Sequence, residues 1–136
     1  MKKNIEVFLG GTMESDWRKK LIKDLKCDYF DPYVEDWNEA AQKKELEKRE
    51  NCDYVLYVLT PKLIGYYSIF EVVEDSCKNP KKTLFCYLEK DGEKEFNKHQ
   101  LKSFKAGAEM IERNGAKVFK SLNSIAEFLN NANKIK

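Results

Sequence analysis

The sequence predicts an α/β fold: a five-stranded parallel sheet with helices on both faces. Three observations carry this. Short apolar runs alternate with segments of helical spacing five times along the chain, an order that argues for parallel strands joined by helical crossovers. Two of the runs, YVLYVL at 54–59 and TLFCYL at 83–88, are apolar almost throughout, as strands are when both faces are covered. The length, 136 residues, suits one domain over residues 1–136 with its own core.

The elements follow in order. Ile5-Glu6-Val7-Phe8-Leu9 reads as a strand ended by Gly10-Gly11. Residues 15–26 carry Trp17, Leu21, Ile22 and Leu25 at helical spacing. Asp28-Tyr29-Phe30 is a brief second strand closed by Asp31-Pro32. Residues 38–51 are rich in helix formers, but their apolar face is thin, with little beyond Ala40, Ala41 and Leu46. The third strand, 54–59, stops at Pro61, and a helix containing Glu71 runs to about Lys78. The fourth strand, 83–88, leads into a charged loop with an Asp91-Gly92 turn. Leu101, Phe104, Ala108 and Ile111 mark a helix over 98–113, Lys117-Val118-Phe119 a short last strand, and Ile125, Phe128 and Leu129 a final helix. The tail NANKIK is expected to fray. With right-handed crossovers, the expected strand order is 2-1-3-4-5, the flavodoxin-like arrangement.

Composition excludes several functions. The 25 basic and 23 acidic residues are well mixed, with a net charge of +2, which is no footprint for a nucleic acid polymer. No apolar run is long enough to cross a membrane, and the N-terminus lacks a signal peptide's apolar stretch, so a cytoplasmic location is expected. The four cysteines form no CxxC pair and His99 is the sole histidine; no metal site or cofactor is expected. Cys52, Cys77 and Cys86 fall in apolar patterns and are expected as buried thiols.

In open sheets of this kind ligands bind beyond the carboxyl ends of the strands, where the strand order reverses. Here that point lies between strands one and three. The loops beside it are residues 10–15, 32–38 and 60–67. Trp37, Tyr66 and Tyr67 supply flat apolar surface, while Thr12, Asp36 and Asn38 supply hydrogen-bonding groups. The mixture suits a small polar ring compound such as a nucleoside. Three known users of such sheets fail on residues. A phosphoacceptor receiver needs acidic residues where Gly10-Gly11 and Thr60-Pro61 stand, GGTMES is a faint echo of a flavin phosphate loop, and no GxGxxG is present.

Glu71 admits two readings. Ser68-Ile69-Phe70-Glu71 has the form of a capping box, and Ser124-Ile125-Ala126-Glu127 repeats that form in the last helix. Only Glu71 stands beside the point of strand reversal. There the helix's positive end is expected to keep its carboxylate ionised, as a nucleophile requires.

The segments VFLGGT, NCDYVLYVLTP, GYYSIFEVVEDS and KTLFCYL resemble the nucleoside 2-deoxyribosyltransferase-like proteins, most closely their short bacterial and phage members, over roughly residues 5–130. The resemblance implies that Glu71 is a nucleophile attacking the anomeric carbon of a 2′-deoxyribonucleoside or related nucleotide. A glycosyl-enzyme intermediate would then be resolved by a second base or by water. It implies an acid at Glu45, eight positions before Asp53, that binds or protonates the base; Asp36 competes for that role. The expected substrate contacts are Phe8, Gly10, Gly11, Thr12, Asp36, Trp37, Asn38, Gly65, Tyr66, Tyr67 and Ser68. Three positions depart from the family pattern: Phe8 replaces a tyrosine, Tyr67 a glycine, and Gly65 a polar residue that meets a 5′-phosphate in nucleotide-preferring members. A binding module without turnover and an enzyme cleaving a dinucleotide such as NAD remain alternatives. The thin helix at 38–51 and the family's habit of completing its pocket with a neighbour predict a homo-oligomer, at least a dimer.

Overall fold

The computed structural model describes residues 3–135. Its elements are β1 (Glu6–Gly11), α1 (Trp17–Ile22), β2 (Asp28–Phe30), α2 (Glu39–Asn51), β3 (Tyr54–Leu59), α3 (Tyr67–Lys78), β4 (Thr83–Tyr87), the short pair β5 (Lys90–Asp91) and β6 (Lys94–Glu95), α4 (Lys98–Arg113), β7 (Lys117–Phe119) and α5 (Leu122–Ile135). One all-parallel, five-stranded sheet has the order β2-β1-β3-β4-β7. This is the flavodoxin-like arrangement. The fifth strand is β7 because β5 and β6 form a separate antiparallel hairpin, with the Asp91-Gly92 turn at its tip. Two-residue charged strands carry no apolar alternation, so the sequence shows only the turn.

Strand side chains alternate between the two faces, and the core divides accordingly. Val7, Leu9, Leu56, Val58, Leu84 and Cys86 pack with Trp17 and Leu21 of α1 and with Ile125 and Leu129 of α5. Phe8, Val55, Tyr57, Leu59 and Phe85 pack with Val72 of α3 and with Ala108 and Ile111 of α4. Helix α2 joins neither cluster. Its buried residues are Glu45 and Arg49, and Leu46 is exposed.

Three local expectations are corrected. Helix α1 is shorter than residues 15–26: after Ile22 the chain tightens into i→i+3 bonds, Asp24 N to Leu21 O and Leu25 N to Ile22 O. The tail does not fray up to Ile135. Asn133 Oδ1 accepts from Ile5 N at 3.0 Å, and Asn130 bonds both Lys26 N and Asp24 O, so two asparagines fasten α5 to the segments that lead into β1 and β2; Lys136 lies outside the described residues. The buried thiols are Cys27, Cys52 and Cys86, whereas Cys77 lies on the outer face of α3.

The turn after β1 is fixed by close approach. Gly11 has φ +117°, and a Cβ there would meet Val58 O at 2.1 Å; only glycine lets β1 lie so close to β3 in this conformation. No helix among the described residues is long and apolar enough to cross a membrane.

Candidate active site at the carboxyl ends of β1 and β3

A cavity of about 570 Å³ opens beyond the carboxyl ends of β1 and β3, between the loop after β2 and the facing ends of α2 and α3. Two pairs of residues spaced i, i+4 meet beside it, and the first member of each lines it. On α2 they are Glu45 and Arg49, and on α3 they are Glu71 and Asp75; all four are buried. The spacing puts each pair on one helix face, so the two helices meet through charge where apolar packing is the rule.

Helix α3 explains how Glu71 comes to point inward. The helix starts at Tyr67 with Tyr66 before it, and no side chain caps it. Ser68 is therefore inside the helix, and the capping box read from the sequence does not form. Ser68, Glu71, Val72 and Asp75 make up the buried face, while Phe70 is 69% exposed. The repeat of the motif fails in the same way: α5 begins at Leu122, and it is the Ser121 hydroxyl that accepts from Ser124 N. Glu127 is exposed.

Glu71 is 5% exposed, and its Oε2 has no hydrogen-bond partner. The nearest cation is Arg49, with Nη1 3.4 Å from Oε2. Burial pushes the Glu71 carboxyl up to about 8; the neighbouring Glu45 carboxylate adds to this, and Arg49 pulls the other way. The expectation that the helix end keeps Glu71 ionised is thus reversed, because desolvation and a second acid outweigh a helix terminus. Glu45 Oε2 accepts from Trp37 Nε1 at 3.1 Å, which holds the indole over the cavity.

Of the remaining predicted positions, Gly11, Trp37, Gly65, Tyr67 and Ser68 line the cavity with Glu45 and Glu71. Others are placed elsewhere. Phe8 is fully buried and stacks on Phe30. Gly10 lies under the Tyr57 ring, 2.7 Å from where its Cβ would be. The Thr12 hydroxyl accepts from Thr60 N, tying the ends of β1 and β3 together. Asn38 caps α2 by accepting from Ala41 N. Asp36 is exposed and does not line the cavity, and Tyr66 faces an adjacent hollow between α3 and α4.

The sequence reading missed the network behind Glu71. Arg49 grips Asp75 with Nε at 3.2 Å and Nη2 at 2.9 Å, and Nη2 also reaches Glu74 at 3.0 Å. The buried Tyr57 hydroxyl donates to Asp75 Oδ2. The available signal was charge at i, i+4 on the inward faces of both helices. A larger cleft of about 720 Å³ lies between α4 and the ends of β4 and β7. Its acids Glu89, Glu109 and Glu112 are not buried, and it is remote from the point of strand reversal.

A family model described as nucleoside 2-deoxyribosyltransferase like matches residues 4–91, from β1 through the hairpin turn. No curated protein and no solved structure matches the chain.

Proposed function

The chain belongs to the nucleoside 2-deoxyribosyltransferase-like family, and on that premise we propose that it breaks the N-glycosidic bond of a 2′-deoxyribonucleoside through an ester on Glu71. The observation that carries this reading is Glu71 itself, a buried carboxyl group that lines the cavity beside a second carboxyl group, Glu45. In the first step a carboxylate oxygen of Glu71 attacks C1′ and the C1′–N bond breaks. Its electron pair goes to the base nitrogen, which takes a proton from Glu45. In the second step a new base or a water attacks C1′, gives its proton back to Glu45, and frees Glu71. Two neighbouring carboxyls sharing a proton suit this division of labour.

Trp37, Tyr33 and Tyr67 supply aromatic faces for the base. The lining includes Glu14 and Glu35 as well as the reacting pair, and no Lys or Arg. That favours a nucleoside over its 5′-monophosphate, because like charges repel in a partly desolvated site. The test is incubation with a panel of deoxynucleosides and their 5′-monophosphates, with free base measured by chromatography. Wild type is expected to release base while the pair holds its one proton, and release should fall as pH rises past about 8 and that proton is lost. Glu71→Gln should lose turnover by more than about 10³-fold, since an amide forms no glycosyl ester. Turnover by Glu71→Gln at the wild-type rate would refute the nucleophile.

A second reading, binding without turnover, is favoured by Phe8: its position in the core offers no hydroxyl near Glu71. Calorimetric binding of a deoxynucleoside with no base released would select it.

A further inference from the structure

We propose that Arg49 is a positioning residue for this site: its guanidinium fixes the Glu71 carboxylate beside Glu45 and supplies the positive charge against which Glu71 acts as an anion. The inference rests on the reading of Glu71 as nucleophile. The geometry separates the two duties of the guanidinium. Its Nε and Nη2 are committed to Asp75 at 3.2 and 2.9 Å, and Asp75 is in turn held by the Tyr57 hydroxyl from the central strand β3. Arg49 is thus oriented from the sheet and independently of Glu71. The remaining corner, Nη1, is left 3.4 Å from Glu71 Oε2. That is close enough for strong attraction in a buried site. Oε2 is buried and has no hydrogen bond, so the charge of Nη1 is what holds this oxygen in place.

The groups facing Glu71 are Glu45 and Arg49 from α2, Asp75 from the next turn of α3, and Tyr57 from β3. Arg49 is the cation of that group. Burial acts against its charge, but the hydrogen bond and charge of Asp75 override this and hold it protonated. A lysine could not serve both duties, because a single ammonium lacks the planar fork that grips Asp75 while leaving a third nitrogen for Glu71.

The test follows the ionisation of Glu71 directly, by carbon-13 NMR of labelled glutamate side chains, with the signal assigned by its loss in Glu71→Gln. Base release is measured against pH in parallel. In Arg49→Met the Glu71 midpoint should move up by about 1–3 pH units, the effect of losing an opposite charge at this range, and the basic limb of kcat/KM should move with it. Arg49→Lys keeps a cation without the fork and should restore part of that shift. Lys48→Met is the structural control. It removes the other ion pair of α2, to Glu6 at 3.0 Å, and should lower thermal stability while leaving both midpoints in place. Folded Arg49→Met or Arg49→Lys titrating Glu71 at the wild-type pH overturns the proposal, as does an equal shift in Lys48→Met. If wild type releases no base from any deoxynucleoside, the enzymatic reading fails instead, and the NMR titration still decides whether Arg49 governs Glu71.

Discussion

Glu71 is a carboxyl group on the inward face of a helix, and its burial has a thermodynamic signature apart from any chemistry. Its folded-state value of about 8 stands above the ordinary 4.5. Between those values the native protein holds a proton that the unfolded chain has lost. Stability therefore falls as pH rises from about 4.5 to about 8 and levels off above, with a slope of at most about 1.4 kcal/mol per pH unit for one proton. Glutamine carries no such proton. The stability of Glu71→Gln relative to wild type is predicted to climb through that window and to be greatest above pH 8, as read from urea denaturation at pH 5, 7 and 9. Glu127→Gln, with the same local sequence but an exposed side chain, should track wild type throughout. Parallel curves for wild type and Glu71→Gln would show that Glu71 is solvated in both states. The two glutamates look alike in sequence because each stands three residues after a serine. Burial separates them, and burial depends on which turn the helix starts.

Helix α2 presents the same problem at the scale of an element: it buries Glu45 and Arg49 and leaves Leu46 47% exposed. A helix without an apolar face must be held by its ends and its charges. Lys82, just before β4, donates from Nζ to the carbonyls of Arg49, Glu50 and Cys52 at 3.0, 2.7 and 3.2 Å. It thereby satisfies acceptors that the helix end leaves unpaired and complements its negative pole. Lys82→Met should destabilise the protein by about 1.5–3 kcal/mol, the range for hydrogen bonds to a charged donor. Amide exchange in α2 should rise more than in α4; equal exchange in both helices would dismiss the cap. The sheet was legible in the sequence because β3 and β4 are uninterrupted apolar runs, and the helices that cover it repeat apolar residues at helical spacing. The loops around the cavity were legible from the strand order alone. Hidden from sequence reading were the inverted faces of α2 and α3, since a polar residue on a helix is assigned to solvent by default. The reach of α5 was hidden too, because the residues that fasten it are asparagines, which by themselves signal loops.

At the scale of the molecule, the inverted faces leave apolar surface outside. Ile64, Tyr66, Tyr67 and Phe70 are all at least 49% exposed along the loop before α3 and its first turn, and Tyr33, Val34 and Trp37 are comparably exposed across the cavity mouth. Phe70 stands one turn from Tyr66 and Tyr67, so these rings form a continuous rim beside the opening. Exposed apolar patches of this kind are uncommon on proteins that stay monomeric. We propose a second copy of the chain as the occupant, since an exposed apolar rim of this kind is a surface that a two-fold contact can bury. A stable contact needs roughly 800 Å² from each partner, which the rim and the outer face of α3 together would have to supply. Light scattering at micromolar concentration should give twice the chain mass. Phe70→Glu, which puts a charge in the centre of the rim at a residue that does not line the cavity, should give the single-chain mass with an unchanged circular dichroism spectrum. A wild-type protein that scatters as a monomer would remove the dimer. A Phe70→Glu protein that remains dimeric would place the interface on another face and leave the cavity mouth open to solvent.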